Sequence, residues 1–295
     1  MTAQKTRYLH LNGKLVPVRQ AAISPLDRGF LYGDGVFESI RAYRGALPFL
    51  DEHMGRIRSS LDLLGIRAVH LLPSMEGRIS SLLKANRLMD EDAFVRIQIS
   101  RGPGRELGLS AHGDRPTVLV IAYAIGTSVT EKQENGISTV TVEGLHTAGA
   151  AKVKFSNYAR SLLALREAGA QKSDDAIFVD EKGRVAEGST ASIFCVKGRT
   201  LHTPPLSMGL LPGITRQIVL DIAPMAGLAV KEKTFGRREL YDADEVFFTA
   251  SISEIYPVRT IDGRKVKNFA KRPVTRRLLE LYRLRADRDI RRKRR

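Results

Sequence analysis

Only one cysteine, Cys195, occurs in the 295 residues, and that scarcity removes two architectures at once. A single thiol cannot close an internal disulfide, and it cannot build a cysteine metal cluster. No run of 18 or more apolar residues occurs, so no membrane-spanning helix is expected, and the first residues lack the pattern of a secretory leader. Zinc-finger spacing, basic–aromatic RNA-binding motifs, coiled-coil heptads and internal repeats are missing too. What remains is 43% hydrophobic and 27% charged, the composition of a soluble globular protein, expected in the cytoplasm and without a resident metal. The length allows two domains with ample core.

Acidic residues are also short in supply, 32 against 48 basic, for a net charge of +16. A general basic surface would suggest nucleic acid as a partner. Part of the excess is terminal, however, and the remaining +10 is spread out. Arg283 to Arg295 carries eight basic residues against Asp287 and Asp289, a net of +6, and such a block reads as a disordered, solvated end. Nucleic acid is therefore not the expected partner. A binding role for the tail stays as the second reading, and deleting residues 284–295 separates the two.

The periodicities describe mixed α and β structure. Tyr8 to Val18 reads as a hairpin turning at Asn12-Gly13. Gly33 and Gly35 punctuate a tight loop that feeds a strand with Val36, Glu38 and Ile40 in alternation. Glu52–Leu64, stopped by Gly65, and Pro73–Ala85 read as helices. Phe94–Ser100 and Val118–Ala124 read as strands. The polar stretch 126–136 reads as an interdomain linker. Beyond it come a strand at Ile137–Val142, a helix through Leu162, Leu163, Leu165 and Ala168 with a stop at Gly169, and strands at Ala176–Asp180, Ser192–Val196 and Glu245–Thr249. Cys195 falls within one of these as a buried strand residue. Helices follow at Ile214–Met225 and Pro273–Arg283. Elements mixed without strict alternation predict an α+β protein. The expected organisation is a small domain over 1–125, the linker 126–136, a large domain over 137–283 and the tail 284–295.

Three local features carry chemistry. Lys154, in Lys152-Val153-Lys154-Phe155-Ser156-Asn157-Tyr158, stands where loop passes into helix among apolar neighbours. Desolvation there favours a neutral, nucleophilic amine. Alone, such a lysine reads as a solvated surface residue. Glu187, in Val185-Ala186-Glu187-Gly188-Ser189-Thr190, is one carboxylate among apolar and small residues; alone it reads as an exposed strand end. Leu211-Pro212-Gly213-Ile214-Thr215-Arg216 opens a helix. Gly213 would admit a ligand close to the backbone, and Ile214 and Thr215 would offer amides to a phosphate. Alone it is an ordinary Pro-Gly helix entry. Together, an amine, a carboxylate and a phosphate-binding helix start are the requirements of pyridoxal 5'-phosphate.

The ordered set Lys154-Phe155-Ser156-Asn157-Tyr158, Leu165-Arg166-Glu167-Ala168, Val185 to Thr190, Thr203-Pro204-Pro205 and Leu211 to Arg216 resembles the class IV aminotransferases. Tyr32-Gly33-Asp34-Gly35-Val36-Phe37-Glu38, His53-Met54-Gly55-Arg56 and Ala243-Asp244-Glu245-Val246-Phe247 extend the resemblance over roughly residues 5 to 283. It implies the two-domain fold type IV architecture, with a small N-terminal α/β domain and a larger domain with a β-barrel-like core. It implies Lys154 as the Schiff-base lysine, preferred over Lys152 by gapless spacing to Asn157. By the same resemblance Glu187 is the ring-nitrogen partner and Arg56 the phosphate arginine. Gly213, Ile214, Thr215 and Ser251 would lie at the phosphate, with Tyr158 beside the ring. Phe37, Arg41, Arg96, Arg101 and Ile252 match positions near the substrate. Two departures stand out: Ser192 replaces the family's usual Asn, and Thr249-Ala250-Ser251-Ile252 replaces its Gly-Thr-Ala turn. The resemblance is nearest to the branched-chain amino acid enzymes, with D-amino acid aminotransferase and 4-amino-4-deoxychorismate lyase as alternatives. It implies amino acid and 2-oxo acid substrates, 2-oxoglutarate among them, and a homodimer or higher homo-oligomer.

Overall fold

The computed structural model describes residues 7–109, 113, 115–143 and 153–293. Lys152 and the small residues Ala148 to Ala151 lie outside them. The chain divides into two compact units, one of Met1–Gly126, Val153–Asn157 and Asp289–Arg295, the other of Thr127–Lys152 and Tyr158–Arg288.

In the first unit, β1 (Tyr8–Leu11) and β2 (Lys14–Pro17) form the expected hairpin. Asn12 and Gly13 both take positive φ, 50° and 82°, which suits the right-handed twist of a two-residue turn. The short α1 (Arg28–Tyr32) precedes β3 (Gly35–Ala42). Next come α2 (Leu50–Leu64), α3 (Met75–Ala85), β4 (Ala93–Ser100) and β5 (Thr117–Ala124). The strands form an antiparallel sheet in the order β2-β1-β5-β4-β3. Ile57, Leu61, Ile79, Leu82 and Leu83 from the helices pack on Val36, Ile40, Val95, Ile97 and Val120 of the sheet. Side chains alternate along a strand, so Phe37, Ser39 and Arg41 of β3 take the face away from those helices. Arg96 and Gln98 pair opposite Ser39 and Phe37 and share it.

The second unit begins with α4 (Ser128–Asn135), which occupies most of the stretch expected as linker. The stretch reads as polar because α4 buries only Val129; it is held through polar groups. Gln133 donates to the Ser253 carbonyl and to Glu254, both at 2.9 Å. The unit continues through β6 (Ile137–Glu143), α5 (Ala159–Ala170), β7 (Asp175–Val179), β8 (Val185–Gly188), β9 (Ser192–Lys197) and β10 (Thr200–Thr203). Then come α6 (Ile214–Ile222), β11 (Ala229–Glu232), α7 (Arg237–Tyr241), β12 (Glu245–Ala250), β13 (Glu254–Ile261), β14 (Arg264–Lys265) and α8 (Pro273–Lys293). A nine-stranded mixed sheet runs β11-β10-β9-β12-β13-β6-β7-β8, with β14 paired to β13. It curls into a half-barrel, and Ile177, Val185, Ile193, Cys195, Val246, Phe248 and Val258 form one of its cores.

Three sequence expectations are corrected along α5 and α8. The leucines of α5 do not face its core: Leu162 and Leu163 are exposed, and Ser161, Ala164 and Ala168 are buried. Small residues let α5 approach Val140, Val142 and Ala176 of the sheet closely. Gly169 lies inside the helix rather than ending it. The tail is also not a disordered end, because α8 continues to Lys293. Leu281, Tyr282 and Ala286 are buried along it; Asp289, which belongs to the first unit, is buried too and accepts the Phe49 backbone amide of that unit at 2.9 Å.

Candidate active site

In the first unit the lysine segment lies along β3. The Phe37 amide donates to the Lys154 carbonyl at 3.0 Å, and the Ser156 amide donates to the Gly35 carbonyl at 2.9 Å. Phe155 bridges Val36 between them. This approach needs glycine: a Cβ at Gly35 would sit 2.7 Å from the Ile99 carbonyl oxygen and 3.1 Å from Ser156 Oγ. The result fixes the lysine over an aromatic ring. Lys154 Nζ lies 4.5 Å from the Phe37 ring centroid, and the Arg96 guanidinium carbon lies 3.8 Å from it. Gln98 ties the group together. Its Oε1 accepts from Arg96 Nη2 at 2.8 Å, and its Nε2 donates to Ser156 Oγ at 2.6 Å. Lys154, Phe37 and Arg96, expected together from the sequence, are thus adjacent, and Gln98 joins them unanticipated.

Glu38 faces the helices instead. It is fully buried and receives Arg56 Nε at 2.6 Å and Nη2 at 2.8 Å, with His53 Nδ1 at 2.7 Å. His53 and Arg56 are three residues apart on α2 and so share a face. Burial pushes the Glu38 carboxyl up, but the Arg56 and His53 charges and hydrogen bonds outweigh it and hold it at about 2. Burial lowers the His53 pKa, helped by the charges of Arg56 and Lys154 and opposed by Glu38. Arg56, expected at a phosphate, therefore sits on an internal anion through two of its nitrogens.

The other two arginines expected near substrate take other partners. Arg41 pairs with Asp92 at 2.7 Å and stacks 4.9 Å from the Tyr43 ring centroid. Arg101 donates to Asp34 at 2.8 Å and to the Leu64 carbonyl at 2.7 Å, tying the strand end to the last turn of α2. Asp34 also takes Arg28 at 2.9 Å. Burial raises its pKa, yet Arg101 and Arg28 bring it below the ordinary carboxylate value.

In the second unit Glu187 stands on β8 and Tyr158 caps the start of α5. Arg160, one residue into α5, donates to Glu187 at 2.9 Å. Gly213 is the N-cap of α6, with Ile214 and Thr215 in its first turn and Thr215 buried. No side chain caps this helix start, so its leading amides suit an anion. A Cβ at Gly213 would meet Ser192 Oγ at 2.8 Å, so a larger residue there would have to displace that hydroxyl. Ser251 and Ile252 form the turn between β12 and β13, both partly buried. That turn is anchored by Glu254, which has φ 57° and is fully buried against Arg283 at 2.8 Å. A carboxylate beside a fixed guanidinium and an uncapped helix start are donor sets that fit a protonated pyridine and a phosphate ester. Among the described residues no cluster of metal-ligating side chains occurs, and no helix is long and apolar enough to cross a membrane.

Comparison with known proteins adds to this geometry. The family model described as amino-transferase class IV matches residues 35–261. A Methanocaldococcus jannaschii protein, provisionally assigned as a branched-chain-amino-acid aminotransferase, is 38% identical, covering 93% of this chain and 94% of its own. Aminodeoxychorismate lyase of Bacillus subtilis is 33% identical over 86% of each chain. D-alanine aminotransferase of Bacillus licheniformis is 31% identical over 90% and 92%. Among solved structures, the branched-chain amino acid aminotransferase of Escherichia coli superposes with a TM-score of 0.86 at 30% identity, covering 94% of this chain and 93% of its own.

Proposed function

The chain belongs to the class IV aminotransferase family, and on that premise we propose that it is a pyridoxal-phosphate-dependent transaminase moving the amino group of a branched-chain L-amino acid to 2-oxoglutarate. The observation that carries the reading is Lys154, whose backbone is hydrogen-bonded to β3 and whose amine is held over Phe37 beside Arg96. Identity to the Methanocaldococcus relative supports the branched-chain substrate. The lyase and D-alanine relatives support the alternatives, D-amino acid transamination or 4-amino-4-deoxychorismate cleavage.

Pyridoxal phosphate, when bound, supplies an aldehyde for the amino group and a ring that accepts an electron pair. Lys154 would bind it through Nζ and then, as a free amine, move the proton between the substrate α-carbon and cofactor C4′. Glu187 would hold the ring nitrogen protonated. The backbone amides of Ile214 and Thr215 at the α6 start would bind the phosphate, with Gly213 letting it close to the chain; Arg56 and Ser251 would contribute beside them. Tyr158 would lie against the ring. Phe37 would offer an apolar wall to a branched side chain, and Arg96 a cation to the substrate carboxylate. Arg41, Arg101 and Ile252 would act at the margins of that pocket. A homodimer is part of the proposal, supported by the exposed Phe30, Leu107 and Leu109 of the first unit.

The test is the visible absorption of the purified protein with pyridoxal phosphate, before and after L-leucine and then D-alanine. A cofactor band that bleaches with L-leucine is expected. Bleaching with D-alanine alone would move the assignment to the D-amino acid reading, and a band unmoved by either would favour the lyase. Absence of any band would sink the cofactor assignment.

A further inference from the structure

Arg160 has no part in the chemistry above, yet its placement is tightly determined. Its Nη2 donates to Glu187 Oε1 at 2.9 Å, and its guanidinium carbon lies 4.5 Å from the centroid of the Phe178 ring. Phe178, on β7, is fully buried, and β7 pairs with the β8 strand that carries Glu187. The guanidinium therefore lies over a buried ring while one of its nitrogens reaches the carboxylate. The pair is largely withdrawn from water, with the Arg160 side chain 32% exposed and that of Glu187 14%. Helix energetics do not explain an arginine here. The first turn of a helix is its positive end, where a cation is unfavourable. The position makes sense if the arginine serves the carboxylate.

We propose that Arg160 is a positioning residue for the cofactor: clamped by Phe178, it fixes the Glu187 carboxylate in orientation and charge for the pyridine nitrogen. The proposal rests on reading Glu187 as the partner of that nitrogen. A carboxylate left to rotate would meet the ring N–H in only part of its rotamers, and a guanidinium beside it favours its ionised form. Stacking keeps the planar fork in one orientation, which a lysine cannot reproduce in full. The rival explanation is a plain ion pair that fastens α5 to the β7–β8 hairpin. Such a staple would contribute to stability and leave the cofactor affinity of Arg160→Gln at the wild-type value.

A double-mutant cycle on cofactor affinity separates the two. Pyridoxal phosphate is titrated into the cofactor-free full chain, and Kd is read from absorbance for wild type, Arg160→Gln, Glu187→Gln, the double variant and Arg160→Lys. Thermal unfolding of each cofactor-free protein is recorded alongside. Arg160→Gln is expected to weaken binding about tenfold, in line with losing a hydrogen bond to a charged group. Arg160→Lys should recover part of that loss. In the Glu187→Gln background, Arg160→Gln should change Kd less than about twofold, because the group it acts through is already gone. Equal fold-losses in both backgrounds would overturn the proposal, because Arg160 would then act on binding without Glu187. So would a wild-type Kd in Arg160→Gln, whatever its Tm. If Arg160→Gln fails to fold, Arg160→Lys in the two backgrounds carries the same comparison. Saturable wild-type binding that Glu187→Gln leaves unchanged would instead remove Glu187 from the cofactor, and no binding by wild type would remove the cofactor itself.

Discussion

Glu38 shows how much one residue can commit a fold to a charge. The alternation Val36, Glu38, Ile40 in the sequence assigns it to the core face of β3, where a lone carboxylate would cost several kcal/mol. The structure resolves this with Arg56 and His53 from α2. Its pKa of about 2, against an ordinary 4.5, corresponds to stabilisation on the order of 3 kcal/mol. Because that pKa is depressed, the stabilisation is complete above pH 4.5 and is lost as pH falls towards 2. His53, also depressed from 6.5, loses its contribution as pH falls below that value. Glu38→Gln is therefore expected to lower stability by roughly 3 kcal/mol at pH 7 and to flatten the dependence below pH 4.5. Denaturant midpoints at about pH 7 and pH 3 measure both, and an unchanged slope in the variant would contradict the assignment. Lys154 is the other decisive residue. Lys154→Ala should reduce transamination by at least about 10³-fold, read as 2-oxo acid formed from L-leucine. Near-normal turnover in that variant would refute its role. Lys154 and Glu187 stand out only as members of the ordered set of motifs; residue type and neighbours alone read them as surface groups. Arg160 does not stand out: an arginine in a first helical turn carries no signal until its partners on β7 and β8 are placed.

At the scale of elements, local patterns were read well where a turn or an alternation set them. The Asn12-Gly13 hairpin and the α2 stop at Gly65 both follow from short-range chemistry. Elements whose stability comes from distant partners gave little local signal. α4 is helical with a single buried apolar residue because Gln133 and the Glu134 carbonyl find Glu254 and Arg272, far along the chain. α8 continues past Arg283 for a similar reason. The Phe49 residue at the start of α2 takes φ 58°, and Asp289 receives its amide 240 residues away. Asp289 is buried, and Arg292 and Lys293 gather around its carboxylate. Asp289→Ala should destabilise the protein by about 1–3 kcal/mol, the cost of a buried donor left unpaired. Chemical denaturation checks this, and a loss under about 0.5 kcal/mol would mean that the cap is replaced by water. The same packing changes the expectation for the tail: deleting residues 284–295 removes this cap and should lower Tm, where loss of a disordered end would leave it unchanged.

At the scale of the whole molecule, strand order is what a sequence conceals most completely. The parallel pairing of β13 with β6 joins distant segments at Val258 and Ile137, and no local signal announces it. The return of Val153–Asn157 to the first unit is equally non-local, made by backbone hydrogen bonds to Gly35 and Phe37. Composition likewise conceals which apolar residues stay outside. Phe30, Leu107 and Leu109 are 78%, 72% and 82% exposed, in a unit whose core is otherwise well filled. In the proposed dimer, a second copy of the chain would cover these groups. Sedimentation velocity at about 10 µM should then give a dimer near twice the 32.7 kDa chain mass. Leu109→Asp, which places a charge on that surface without touching either core, should shift the population to monomer while leaving the far-ultraviolet dichroism unchanged. A wild-type monomer at this concentration would remove the dimer from the proposal. A dimer indifferent to Leu109→Asp and to Phe30→Asp would put the interface on another face.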